Sequence, residues 1–121
     1  MGAELRPFLI LASLLAGLSA GAGFRVQDFS FVGVSNRFIT PNGDRRNDNV
    51  AFNFSNPRDS SGSIKIYDVR GHLLTTLTVN PGDTLETWDA RANGAVVSSG
   101  VYIYVLHVES VVVSGAVVVV R

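Results

Sequence analysis

The densest grouping of side chains able to do chemistry lies in TPNGDRRNDN, residues 40–49, where Asn42, Asp44, Asn47, Asp48 and Asn49 all carry oxygen acceptors. An oxygen-rich loop suits a hard cation such as calcium, which takes six to eight oxygens and tolerates irregular geometry. Asn42, Asp44 and Asp48 are the candidate ligands. The spacing lacks the alternating acids and terminal bidentate glutamate of a helix-loop-helix calcium site. Arg45 and Arg46 would also set two positive charges beside the ion, each disfavouring it by about 1 to 4 kcal/mol at contact range. In the other reading the same Asn and Asp side chains bond to nearby backbone amides and build a tight turn. The cofactor expectation is none, with calcium as the conditional exception.

Catalytic groupings are sparse. The chain has two histidines, His72 and His107, and neither belongs to a Gly-x-Ser-x-Gly or HExxH stretch, so hydrolytic and zinc chemistry have no motif. Asp83 and Glu86 are read as solvated charges. Trp88, Tyr67, Tyr102 and Tyr104 could form a platform for sugar or peptide, but strands favour aromatics, so core or cross-strand positions are expected. The absence of cysteine excludes disulfides and thiolate metal sites. Lys plus Arg and Asp plus Glu balance at ten each, so no long-range field draws the chain to nucleic acid or to an anionic membrane. These residues supply no motif for catalysis, and they leave the oligomeric state undetermined.

The elements that must position these groups are strands, and no segment beyond the leader reads as a helix. Val50, Phe52 and Phe54 share one face of a period-two segment, and Ile64 and Ile66 point inward while Lys65 and Tyr67 point outward. Arg70-Gly71 supplies a turn in which Gly71 takes positive φ. Leu73, Leu77 and Val79 are then expected on one face of the returning strand, which Asn80-Pro81-Gly82-Asp83 ends. Residues 85–88 form the next strand and Asn93-Gly94 a tight turn. Residues 101–108 (VYIYVLHV) are apolar on both faces, which predicts a central strand. The chain closes with Val111-Val112-Val113, a Ser114-Gly115 turn, and the uncharged run Val117, Val118, Val119, Val120 before Arg121. Such an edge must be paired, or it recruits other strands.

Length allows one domain, since about 100 residues remain beyond the apolar leader. Arg6, the run FLILASLLAGLSA at 8–20 and the small residues Ala20-Gly21-Ala22 read as a signal peptide over residues 1–22. The run is short for a bilayer core, which takes roughly 20 residues. The mature chain is therefore expected to have no membrane span and to be exported, to the periplasm, cell surface or extracellular space. Residues 23–37 are a lead-in or a first strand, and residues 38–121 are the domain.

Several motifs follow one another in order: Phe38-Ile39-Thr40-Pro41-Asn42-Gly43-Asp44, Asn47-Asp48, Ile64-Lys65-Ile66-Tyr67-Asp68-Val69-Arg70-Gly71, Thr87-Trp88-Asp89 and Ser99-Gly100-Val101-Tyr102. Together they resemble the Ig-like C-terminal domains of secreted bacterial proteins. These include the flagellar hook-capping Ig-like domain and the gliding-motility-associated C-terminal domain, a type IX secretion sorting signal. The final β-branched run with its basic last residue is similar to the end of the sorting-type domains. Spacing and resemblance agree on an all-β fold, an immunoglobulin-like antiparallel β-sandwich of about seven strands.

The resemblance implies a secretion-sorting or cell-surface attachment module, with a structural or adhesion role in an extracellular assembly as the alternative. It gives Pro41, Gly43, Gly71, Trp88, Asp89, Gly100 and Tyr102 structural roles, and makes Val117, Val118, Val119, Val120 and Arg121 a strand that the secretion machinery recognises. Two departures stand out. Arg45-Arg46 occupy a step where the family commonly has glycine, and Asp89-Ala90 replaces the usual Asp-Gly. The family also implies a large passenger ahead of the domain, whereas here the domain follows the leader almost directly.

Overall fold

The structure is a computed structural model that describes residues 27–121. The expected signal peptide, residues 1–22, lies outside the described residues. Ten strands follow in order: β1 (Ser30–Val34), β2 (Phe38–Ile39), β3 (Val50–Ser55), β4 (Gly62–Asp68), β5 (Leu73–Val79), β6 (Leu85–Trp88), β7 (Arg91–Ala92), β8 (Ala95–Val96), β9 (Gly100–Val108) and β10 (Val111–Val119). β2, β7 and β8 are two residues long, which leaves seven strands of ordinary length. The described residues contain no helix.

Two sheets form the sandwich, one ordered β1-β3-β6 and the other β2-β10-β9-β4-β5, with β7-β8 as a separate small hairpin. All pairings are antiparallel except that of β2 with β10. Alternation decides the core. Val50, Phe52 and Phe54 of β3 face Ile64 and Ile66 of β4 and Tyr102, Tyr104 and Leu106 of β9, all buried. Burying one such side chain contributes about 1.5 to 3 kcal/mol, and edge-to-face rings lock the layers: Phe52 meets Tyr104 at 5.0 Å and Trp88 meets Tyr102 at 5.6 Å. β9 is the middle strand of five, as its two apolar faces predict. Its outer face joins an apolar row, since Val118 is registered with both Val101 and Phe38.

Three expectations are revised. Residues 30–34 form a first strand, paired with β3, and Phe29 is buried against Phe54 at 5.3 Å. The sandwich therefore begins ahead of the boundary at Phe38. On β5, Leu73 is 51% exposed while Leu74 packs against the core. A bulge between Ile66 and Tyr67 explains this: Ile66 is opposite Thr75 and Tyr67 opposite Leu73, so Leu74 is the extra residue and the alternation shifts. Lastly, Ser114-Gly115 makes no turn. β10 runs unbroken from Val111 to Val119, and the chain reverses at Glu109, where φ is 56°. Gly115 lies opposite Tyr104, and a Cβ there would overlap the tyrosine ring and hydroxyl. The glycine admits a cross-strand neighbour and does not bend the chain.

Candidate functional site

The strand registers collect the motif-bearing loops at one pole. Val119 pairs with both Ile39 and Gly100, Asp68 with Tyr102, and Val50 with Trp88. Residues 40–49, the β4–β5 turn, residues 89–99 and the chain's C-terminal end therefore lie together. The opposite pole holds Phe29, whose N–H donates to Glu109 Oε1 at 3.3 Å, and Ser60, whose hydroxyl donates to Glu109 Oε2 at 2.6 Å. The Ser60 bond, followed by burial acting the other way, holds the Glu109 carboxyl below its usual range.

Asp48 organises the loop of residues 40–49. Its carboxylate accepts N–H bonds from Asn42 at 3.2 Å, Gly43 at 3.1 Å and Arg45 at 2.7 Å. Asn42 Oδ1 accepts from the Asp44 N–H at 3.1 Å, and Asp44 Oδ1 from the Arg46 N–H at 2.8 Å. Gly43, Arg45 and Asn47 carry positive φ of 80°, 67° and 54°. The oxygens expected to face calcium thus accept backbone N–H bonds, a setting whose partial positive charge favours an anion over a cation. Among the described residues, no three His, Cys, Asp or Glu side chains are grouped to hold a metal.

The β4–β5 turn uses the same device, and residues 89–99 are held by side-chain donors instead. Asp68 accepts from the Arg70 and His72 N–H groups at 2.9 and 3.0 Å, and its second oxygen lies 3.3 Å from His72 Nδ1. The His72 amide is the main reason its carboxyl sits below the usual range. Gly71 takes φ of 88° in this turn. Trp88 Nε1 donates to the Arg91 carbonyl at 2.9 Å, and the Tyr102 hydroxyl donates to the Ser98 carbonyl at 2.6 Å. Burial, then the charge of Asp68, raises the Tyr102 phenol. Asp89 and Arg91 approach at 3.7 Å, and Ala90 is buried with φ of 63°. A hollow of about 150 Å³ lined by Pro41, Gly43, Asp48, Asp89 and Arg91 joins this turn to residues 40–49.

The chain's end is fixed at this pole. Val118 and Val120 donate to the carbonyls of Arg37 and Ile39 at 2.8 and 2.9 Å, and the Arg121 N–H donates to Ser99 Oγ at 2.9 Å. Val117 and Val119 are buried, whereas Val120 is 48% exposed. A cleft of about 310 Å³ beside it is lined by residues that include Asp68, Arg70, Ser99, Gly100 and Tyr102. Gly100 has open space around a hypothetical Cβ, with only the Tyr102 ring at 4.0 Å. The structure brings the expected motif residues together. Asp68 and Ser99, both inside the matched motifs, gain specific roles here: that of Asp68 is signalled by an aspartate three residues ahead of a glycine, whereas the Ser99 bond joins residues 22 apart and no local pattern signals it.

His72 and His107 are exposed strand-end or turn residues. Glu86 differs from the expected solvated charge. It is registered opposite the buried Phe52, so it points inward from β6, and burial followed by the Asp83 carboxylate raises its pKa to about 7.

Comparison with known proteins adds the following. The model of the CHU_C type IX secretion signal domain family matches residues 32–117. Among solved structures, dimeric latent PorU from Porphyromonas gingivalis aligns with a TM-score of 0.54 and 18% identity, over 85% of this chain and 10% of that one. That likeness shows a shared fold, and this chain spans about a tenth of the neighbour's length. No curated protein matches the chain.

Proposed function

Since the chain belongs to the family of type IX secretion signal domains, we propose that the secretion machinery reads it at its C-terminal end, residues 117–121. As a secretion-sorting module it marks protein for the cell surface or extracellular space, and its partner belongs to that machinery. The observation that carries the reading is the family match across residues 32–117. It is supported by the way the pole loops hold Val120 and Arg121 in one place through Ile39 and Ser99. On this reading the chain has no catalytic activity, cofactor or nucleic-acid partner of its own. Asp48 and Asp68 are occupied with backbone amides, and the net charge is zero.

No helix among the described residues is long and apolar enough to cross a membrane. The mature chain acts at the surface it is delivered to. Deleting Val120 and Arg121 leaves the buried Val117 and Val119 in place. We expect this truncated chain to melt like the parent and to be lost from the cell surface. Normal display of the folded truncation would overturn recognition at this end. A structural or adhesion role keeps one observation in its favour, the outer-face row of Phe38, Val118 and Val101. It predicts that the purified chain self-associates, which light scattering reads directly.

A further inference from the structure

We propose that the outer edge of β10, at Val112, Ser114 and Ala116, accepts an extended strand from a partner protein of the secretion machinery. The inference rests on the sorting reading above and places the contact upstream of the chain's end. Val118 and Val120 direct their N–H groups away from β9, toward β2. The β9–β10 register runs from Val111 to Val119 without a shift, so alternation directs the N–H and C=O groups of residues 112, 114 and 116 the same way. β2 covers only Val118 and Val119. Among the described residues, nothing pairs with the rest of that edge.

The other free edges carry devices that discourage pairing. β1 is bulged between Phe31 and Gly33, β5 by the extra Leu74, and β6 is four residues long with Glu86 turned inward. β10 has no bulge, no proline and no charge from Val111 to Val119. Val112, 63% exposed, flanks the small Ser114 and Ala116 on the outer face. A row of alternating donors and acceptors is completed by another extended backbone, and uncharged β-branched side chains sit best beside Val112 and Ala116. The occupant is therefore an uncharged extended segment. A second copy of this chain is disfavoured by area, because one strand pair of this length falls well below the roughly 1,200 Å² of lasting interfaces. A sorting signal needs an engagement that ends.

Proline at residue 114 removes only the outward N–H, a position that edge strands tolerate. The test compares the full-length parent, Ser114→Pro, Ala116→Lys and the opposite-edge control Thr76→Lys in cells with a working type IX system. An antibody to the purified chain measures the surface fraction on intact cells. We expect Ser114→Pro and Ala116→Lys to lower surface display by about tenfold or more, with the protein retained in the periplasm, while Thr76→Lys matches the parent. Melting temperatures should move by less than about 4 °C. Should Ser114→Pro fail to fold, Ala116→Lys decides. Normal display of a folded edge variant overturns the proposal while leaving the sorting reading intact. Failure of the parent itself to reach the surface overturns both. A parent that doubles in mass on concentration, with Ser114→Pro staying monomeric, assigns the edge to a second copy and overturns the partner.

Discussion

Arg45 and Ala90, which fall within the two departures from the resembled pattern, both hold positive φ, 67° and 63°. A side chain in that region costs about 1 to 2 kcal/mol relative to glycine. Arg45 is exposed, so Arg45→Gly should stabilise the fold by about 1 kcal/mol in thermal melts, after the greater freedom of unfolded glycine is subtracted. An unchanged or lower melting temperature would contradict the strain. Ala90→Gly should gain less, because it also empties a buried methyl position. Both departures were visible in the sequence. Their φ was not: that of Arg45 goes with the capture of its amide by Asp48, and that of Ala90 with a turn closed by the Val97 N–H bond to its carbonyl. The same capture argues that the loop needs no ion, so adding a chelator should leave the melting temperature unchanged; a drop would restore calcium at Asn42, Asp44 and Asp48.

Glu86 gives a pH dependence with a definite sign. Its carboxyl is raised to about 7 by burial first and by Asp83 second, from an unfolded value of about 4.3. The folded chain therefore holds that proton more tightly. The associated stability is full below about pH 4.3 and is lost as pH rises through 7. Asp83 moves the other way, held below its usual range chiefly by the Asn80 amide, so its contribution fades only in acid. Glu86→Gln should flatten the decline in melting temperature between pH 5 and pH 8. An equally steep decline in the variant would place the titration elsewhere.

At the scale of elements, β10 separates what pattern reveals from what packing decides. β3 and β4 are legible because alternation of large apolar residues has one reading, and β9 because a β-branched and aromatic run apolar on both faces reads as a central strand. Ser114-Gly115 has two, a turn or a place where a neighbour comes close, and only the Tyr104 ring across the strand pair selects the second. Gly115→Ala should accordingly destabilise the fold by about 1 to 3 kcal/mol as Tyr104 is displaced. Denaturant unfolding checks this, and a neutral result would mean that the ring yields freely. The bulge at Leu74 was equally hidden, because Leu73-Leu74 offers an apolar side chain to either face.

The whole molecule has two poles with different work. Where the described chain enters, Arg58 pairs with Asp28 at 3.0 Å and Glu109 ties β10's start to Phe29 and Ser60. At the other pole the motif loops surround the C-terminal end. A passenger joined ahead of residue 27 would therefore stand at the pole opposite residue 121. The direct test of the central claim is the surface fraction of a reporter carrying a cleavable leader and residues 27–121, measured in a type IX-competent strain and in its translocon-deficient derivative. The account predicts a reporter on the surface of the first and confined to the periplasm of the second. The same distribution in both strains would contradict it.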